Sequence, residues 1–138
     1  MDIKTVPYHS PFGDYELTVT VCSYAVNKRL AVNLLCKEDG YWGPYASLTV
    51  NLPAEPVRPN EAFIKCFDEN QGLMEFLLDN KLGTVLPGQE GHSGFCAYPK
   101  IAFDMEKLRE FDPEGTEKYL RQAQQHQQKK RTPKQKER

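Results

Sequence analysis

Apolar and polar residues follow a strand-like pattern in three segments of the first half of the chain. In residues 15–22, apolar side chains from Tyr15 to Val21 occupy every second position. A strand pattern resumes over residues 30–36, and strict alternation returns over residues 45–52. A period of two with β-branched residues is typical of half-buried strands, so we predict three strands here.

Turn signals separate these segments and predict how the strands connect. Asp39-Gly40 is a strong hairpin signal, because both central positions of a two-residue turn favour positive φ. Residues 1–11 resemble a lead-in, residues 11–14 a turn, and Pro53 ends the third strand because it lacks a ladder donor. We therefore expect an antiparallel meander.

The middle of the chain combines a short apolar run with helix signals. Residues 53–60 contain three prolines and are predicted to form a loop, and residues 63–67 a fourth strand. Asn70 resembles a helix N-cap and Gly83 a C-terminal stop, so the main helix is predicted over residues 70–82.

A last strand and a second short helix complete the predicted body. Residues 95–103 form a strand interrupted at Pro99, which favours an edge or bulge position. Asp104 is the expected cap of the short helix, and residues 112–115 break the chain. We interpret residues 116–128 as a fraying helix and the remainder as disordered, because a Gln-, Lys- and Arg-rich segment cannot bury a core.

Together these elements predict an α+β fold. An antiparallel sheet of four or five strands carries the main helix on one face, and a second short helix and a disordered basic C-terminal tail complete it. With 138 residues, the chain fits one α+β domain over residues 1–115. The fraying helix and basic tail occupy residues 116–138.

A net charge of −1 hides two segments of opposite sign. Residues 121–138 carry seven lysines and arginines against one glutamate, a net charge of +6, which leaves −7 on residues 1–120. Closely spaced flexible cations attract phosphates without a fold, so we predict nucleic-acid binding through the tail. Docking of the tail onto the acidic body or a protein partner, and a merely solubilising tail, are the alternatives. The expected nucleic-acid contacts are Lys129, Lys130, Arg131, Lys134 and Lys136.

Large aromatic side chains cluster beside the predicted hairpin. Tyr41, Trp42 and Tyr45 are of the residue types that anchor protein interfaces, so we predict a protein contact here. Capping the end of a small core is the other interpretation of these residues. Together with the acidic body, they favour an alternative function, a module that occupies a basic surface of a host defence or DNA-processing protein.

Candidate catalytic and metal-binding residues are few. A small enzyme that uses a His92–Cys96 pair is a third hypothesis, although four residues of extended strand span about 13 Å and no orienting residue is identifiable. The glycines of residues 88–94 fit either a flexible connection or an anion-binding backbone. The four cysteines lack the paired spacing of zinc sites. We predict no catalytic residue, metal or cofactor, and a non-enzymatic protein.

The sequence gives no sign of membrane insertion or export. No apolar run approaches the roughly 18 residues of a membrane span, and the N-terminus lacks the regions of a signal peptide. We expect no membrane contact, a cytoplasmic location and free thiols. No pattern demands a particular oligomeric state.

Three short motifs resemble a known family. They are Glu38-Asp39-Gly40-Tyr41-Trp42, Leu48-Thr49-Val50-Asn51-Leu52-Pro53 and Ser93-Gly94-Phe95-Cys96-Ala97-Tyr98-Pro99. Together they resemble a small family of functionally uncharacterised bacterial proteins encoded on conjugative transposons, plasmids and prophages of gut Gram-positive bacteria. The resemblance covers residue 4 to about residue 108 and transfers no catalytic residue. It implies a cytoplasmic accessory protein of a mobile genetic element, with a role in DNA transfer or in countering host defence.

Overall fold

The computed structural model describes the backbone of residues 3–136 and the side chains of residues 3–125, except that of residue 69. The fold is α+β, as predicted. A 3₁₀ turn at Asp68–Asn70 precedes the first helix. The strands and helices of the described residues are, in chain order, β1 (Val6–Ser10), β2 (Gly13–Ser23), β3 (Leu30–Glu38), β4 (Tyr41–Ser47), β5 (Thr49–Val50), β6 (Glu61–Ile64), α1 (Leu73–Asp79), β7 (Gly83–Val85), β8 (Gly91–Ser93), β9 (Cys96–Tyr98), β10 (Lys100–Phe103), α2 (Met105–Phe111) and α3 (Pro113–Lys136).

Four antiparallel strands form the first sheet, in the order β1-β2-β3-β4. β2 pairs with β3 along most of its length, and β3 pairs with β4, so the predicted meander is confirmed. The predicted hairpin is also confirmed, because Glu38 pairs with Tyr41 across a two-residue turn. Asp39 and Gly40 have φ values of 52° and 81°, as this type of turn requires.

The predicted lead-in over residues 1–11 is wrong in its second half, where β1 forms an edge strand on β2. An edge strand leaves one row of N–H groups unpaired, and Pro7 is therefore tolerated. Tyr8 is buried and packs its ring edge-on against Tyr45, which holds β1 on the sheet. The turn predicted over residues 11–14 is confirmed, since Ser10 pairs with Gly13.

A second antiparallel sheet has the strand order β5-β6-β10-β7. The single strand predicted over residues 45–52 is wrong, because the chain leaves the first sheet after Ser47 and enters the second at Thr49. Leu48, at this crossing, is 0% exposed. Its N–H donates to the Val32 carbonyl in β3, and its carbonyl accepts from the Lys65 N–H after β6. One residue thus connects both sheets.

The main helix predicted over residues 70–82 is also wrong in length and in its start, since α1 has only seven residues. Asn70 does not cap α1. It is buried, and its amide nitrogen donates to the carbonyls of Ser47 and Lys65, at 2.8 and 3.2 Å. Gly72 occupies the cap position with φ 93°, which lies in the left-handed region.

Gly83 does not stop α1 but begins β7, which corrects the predicted helix end. A Cβ atom at this position would lie 2.7 Å from the carbonyl oxygen of Ala102 in the neighbouring strand. The glycine therefore permits close pairing of β7 with β10. The fourth predicted strand and the last predicted strand are present, as β6 and as β9 and β10 separated by Pro99.

The two C-terminal helices pack on β2 of the first sheet. Asp104 caps α2 as predicted, accepting hydrogen bonds from the N–H groups of Glu106 and Lys107. Asp112 ends α2, and its carboxylate accepts the Val21 N–H of β2 at 2.9 Å. The longest helix of the described residues is α3, with 24 residues, and not the helix predicted over residues 70–82, which corresponds to the seven-residue α1.

Residues 113–136 form α3, which begins three residues before the predicted fraying helix. Thr116 and Tyr119 on this helix are buried in the body. Side chains of residues 126–138, including the five predicted nucleic-acid contacts, lie outside the described residues. The predicted disorder of the tail and the domain boundary at residue 115 stay predictions.

Candidate functional site

A cleft of about 350 Å³ lies where the β2–β3 connection, the loop of residues 53–60 and α3 meet. We call it the basic cleft, because Lys28, Arg29 and Arg58 line it. No acidic side chain is among the described residues that line it. Tyr119 and Ala123 add apolar surface from α3. Unopposed positive charge beside an aromatic side chain favours an anionic ligand.

Hydrogen bonds order the turn and one of the arginines that line the basic cleft. The Tyr24 N–H donates to the Arg29 carbonyl at 2.9 Å, which closes the turn between β2 and β3. Lys28, within this turn, has a φ of 61°. The guanidinium of Arg29 donates to the Leu52 carbonyl at 2.8 Å and to the Pro53 carbonyl at 3.4 Å. This arginine therefore also joins the turn to residues 53–60, the proline-rich loop. Lys28 and Arg58 have exposed side chains, available to a ligand.

Tyr119 attaches α3 to the proline-rich loop at the edge of the basic cleft. Its ring is 2% exposed, and its hydroxyl donates a hydrogen bond to the Pro59 carbonyl. Burial raises the pKa of Tyr119 to about 12, because the charged phenolate loses its hydration. The hydroxyl therefore stays protonated at neutral pH and acts as a fixed donor, not as a base.

A neighbouring pocket of about 360 Å³ shares Val57 and Arg58 with the basic cleft. It contains a buried pair, in which the Lys100 Nζ atom lies 3.9 Å from the Glu61 Oε1 atom. Lys100 also donates to the Gln89 side chain at 3.3 Å. The pair is internally neutralised, so Arg58 supplies the net positive charge of this pocket.

The helix that lines the basic cleft leads directly to the predicted tail contacts. Ala123 lines the cleft, and Lys129 and Lys130 follow it within two helical turns of the same helix. The tail cations therefore continue from the cleft along the chain.

Tyr41 and Trp42, predicted as protein contacts, lie at the opposite end of the first sheet. Tyr41 is 80% exposed, next to the β3–β4 turn. Trp42 is half-buried, and the Lys37 ammonium lies 6.0 Å from the centroid of its ring. Phe12, in the β1–β2 turn at the same end, is 75% exposed.

Tyr45 is separated in role from the other two predicted aromatic contacts. Its ring packs against those of Tyr8 and Tyr15, with centroids 6.2 and 5.0 Å away. It also lines a cleft of about 680 Å³ together with Phe12 and Tyr24. One of the three aromatic residues therefore stabilises the fold, and two are presented at its end.

Exposed carboxylates lie at the same end of the first sheet as these aromatic side chains. The only ion pair of Asp14 within the described residues is with exposed His9, at 2.9 Å. We define the acidic–aromatic end by its aromatic and acidic members. They are Phe12, Tyr41 and Trp42, and Asp14, Glu16, Glu38 and Asp39.

The glycine-rich segment folds into a short hairpin and not into a catalytic dyad. β8 and β9 pair with His92 opposite Ala97 and Ser93 opposite Cys96. His92 and Cys96 therefore point to opposite faces of the hairpin, since side chains alternate along a strand. The chain does reverse here, which brings the two backbones together without joining the two reactive groups. Phe95 at the hairpin tip is fully exposed.

The cysteines are free thiols and do not form a metal site. Desolvation raises the pKa of Cys22, Cys36 and Cys66, which disfavours their reactive thiolates at neutral pH. Within the described part of the chain, no group of three or more histidine, cysteine or acidic side chains is placed to hold a metal ion. Among the same residues, no helix has the length and apolar character needed to cross a membrane.

Comparison with known proteins places the chain in one family. A family model described as Domain of unknown function (DUF4313) matches residues 18–123. The chain belongs to this family. No curated protein and no solved structure matches it.

The DUF4313 match includes the whole basic cleft, from Val26 to Ala123, and ends before the five predicted tail contacts. Sequence reasoning missed this cleft, because Lys28 and Arg29 were only a polar break between strands and Arg58 one charge in a loop. The available signal was the combination of a basic turn with a proline-rich basic loop. Their proximity depends on the second sheet, which the sequence pattern did not reveal.

Proposed function

We propose that this DUF4313 protein binds nucleic acid at the basic cleft and through the basic tail that follows it. The observation that carries the proposal is that the helix lining the basic cleft continues into the chain segment that contains the tail lysines and arginines. Ala123 of α3 lines the cleft, and Lys129, the first predicted tail contact, follows within two turns. We expect the cations of the cleft and of the tail to contact phosphates, without sequence specificity.

The basic cleft adds a feature that a tail alone lacks. Backbone hydrogen bonds hold the segments that carry Lys28 and Arg58, so less backbone freedom is lost on binding than for a flexible segment. Tyr119 contributes apolar surface next to these cations. We expect the cleft to set the position of the nucleic acid and the tail to supply most of the affinity.

Fluorescence anisotropy with labelled single- and double-stranded DNA and RNA tests this function. Replacing the five predicted tail contacts, from Lys129 to Lys136, with glutamine in the full chain removes about five phosphate contacts. The slope of log K against log salt concentration is then expected to become shallower by about 4. The variant Lys28→Gln/Arg58→Gln is expected to make it shallower by about 2.

Lys37→Gln, which removes one cation at the far end of the first sheet, is the matched control and is expected to bind like the wild type. Binding that is absent at low salt for the wild-type chain contradicts the proposal. Unchanged binding by Lys28→Gln/Arg58→Gln assigns the contact to the tail alone and removes the cleft from it.

Protein binding at the acidic–aromatic end is the second candidate function. Four exposed carboxylates at the same end of the first sheet as exposed Tyr41 fit a partner with a lysine- and arginine-rich surface, as a DNA-processing or host defence protein has. Binding of a nona-arginine peptide, lost in the variant Glu16→Gln/Glu38→Gln/Asp39→Asn, supports this candidate. A wild-type chain that does not bind the peptide at low salt opposes it.

The setting of the protein forms part of the same proposal. The motifs at residues 38–42, 48–53 and 93–99 support a non-enzymatic accessory protein of a bacterial mobile genetic element, located in the cytoplasm. Transfer frequency of such an element with and without the gene tests this setting.

A further inference from the structure

The two charged regions of the protein lie at opposite ends of the first sheet. β2 begins at the acidic–aromatic end and runs to Ser23, next to the basic cleft. α3 follows the same direction, since Asp112 before it binds the Val21 N–H and Gln122 within it accepts from the Ser23 hydroxyl at 2.6 Å. α3 therefore leaves the body at the end where the cleft lies and carries the basic tail away from the acidic–aromatic end.

The tail of a given chain is poorly placed to reach its own acidic–aromatic end. β2 has 11 residues, which span about 35 Å. From Ala123 the backbone of α3 continues as a helix to Lys136. This adds about 20 Å on the side away from the acidic–aromatic end. Binding within one chain would require the helix to break and the tail to return along the whole sheet. The tail of a second copy needs no such reversal.

The chemistry of the acidic–aromatic end matches that of the tail. Lysine and arginine bind over aromatic faces and pair with carboxylates at the same time. Lys37, whose ammonium lies over the Trp42 ring, already shows the aromatic contact within the fold. Asp14, Glu16, Glu38 and Asp39 supply four negative charges, against seven positive charges in residues 121–138.

We propose that the acidic–aromatic end binds the basic tail of a second copy of the chain, so that copies associate head to tail. The inference rests on the second candidate function and names its partner. A head-to-tail dimer retains one unoccupied end and one unoccupied tail, so association continues into rings or linear chains and does not stop at a symmetric dimer. Nucleic acid on the tail competes with this contact.

Sedimentation velocity of the full-length protein over a range of concentrations tests the proposal. At low salt, the average mass is expected to rise at least twofold with concentration and to return to that of the monomer at high salt. The end variant Glu16→Gln/Glu38→Gln/Asp39→Asn is expected to remain monomeric. A tail variant, with glutamine at the five predicted tail contacts, is expected to do the same.

Sedimentation velocity of a mixture of the end variant and the tail variant tests the head-to-tail contact directly. The end variant keeps its tail and the tail variant keeps its end, so together they form one heterodimer of one copy each and nothing larger. The variant Asp79→Asn/Glu90→Gln/Glu114→Gln removes three exposed carboxylates elsewhere and is expected to associate like the wild type. Circular dichroism verifies that every variant is folded.

Three results overturn the inference. They are a monomer at all concentrations, a mixture of variants that stays monomeric, and a carboxylate control that loses association as fully as the end variant. Oligonucleotide binding by the end variant separates this result from the proposed nucleic-acid function. If that variant binds DNA or RNA while all forms are monomeric, the proposed self-association is rejected and the proposed nucleic-acid function is retained.

Discussion

Gly115 occupies a position in the first turn of α3 where available space, and not backbone conformation, requires glycine. A Cβ atom there would lie 2.5 Å from the carbonyl oxygen of Val21 and closer still to the Asp112 carboxylate. The same carboxylate accepts hydrogen bonds from the N–H groups of Val21 and Gly115. A single side chain therefore joins β2, the end of α2 and the start of α3, and the helix must approach without a side chain in between.

Gly115→Ala is expected to destabilise the protein by about 1–3 kcal/mol, because the added methyl group displaces the Asp112 carboxylate from its contacts. In an unobstructed helix the same change is stabilising by up to about 1 kcal/mol, so the sign of the change in the free energy of unfolding shows whether the space is blocked. Urea unfolding measures this free energy. Gly43→Ala, at a position with open space, is the control, and an equal loss there would contradict the steric explanation.

Sequence signals were reliable at this scale where the cause is local. Asp39-Gly40 forms its turn and Asp104 caps α2, because both depend on backbone groups within three residues. Asn70 has equally good cap chemistry but binds Ser47, whose position depends on the first sheet. A local signal is therefore decisive only when no distant partner competes for the same side chain.

At the scale of elements, α3 joins the body to the basic tail through the buried face around Tyr119. The hydroxyl of Tyr119 binds the Pro59 carbonyl, and its burial raises the pKa to about 12. The contact between α3 and the proline-rich loop, which borders the basic cleft, thus depends on one protonated phenol. The contribution of this phenol to stability varies with pH in a predictable direction.

The free energy of unfolding is expected to fall by about 2 kcal/mol between pH 10 and 12 on account of Tyr119. Its folded pKa lies above the unfolded value of about 10, so the stabilisation is complete below pH 10 and is lost as pH rises towards 12. Urea unfolding across this range measures it for the wild type and for Tyr119→Phe. The phenylalanine variant is expected to be less stable at pH 7 and to lose correspondingly less at high pH. Parallel curves for the two proteins would show that Tyr119 does not cause the loss.

At the scale of the whole molecule, two antiparallel sheets share one core through the chain crossing at Leu48. Its main-chain groups bind Val32 on one side and Lys65 on the other, and its side chain is fully buried. The second sheet also brings the loop of Arg58 beside the β2–β3 turn and so creates the basic cleft. Stability of the fold and assembly of the candidate site therefore have a common origin.

Leu48→Ala is expected to cost about 2–5 kcal/mol, because the cavity opens where the sheets meet. Hydrogen exchange is expected to lose protection by a similar factor in β2 of the first sheet and β10 of the second, since both depend on this residue. Leu78→Ala, on the exposed side of α1, is the matched control and is expected to cost less than about 1 kcal/mol. Loss of protection confined to one sheet would show that the two sheets unfold independently.

The sequence by itself determined the α+β class, the meander of the first sheet, the hairpin at residues 39–40 and the cap at Asp104. These features depend on periodicity and short-range hydrogen bonds, which a single chain displays directly. Only the tertiary structure decided that the chain changes sheets at Leu48, since alternation continues through the crossing. It also decided that α3 is the main helix, and that Lys28, Arg29 and Arg58 line one cleft. The proximity of these three residues follows from pairing and packing between segments distant in sequence. A local sequence pattern does not show which distant segments come together.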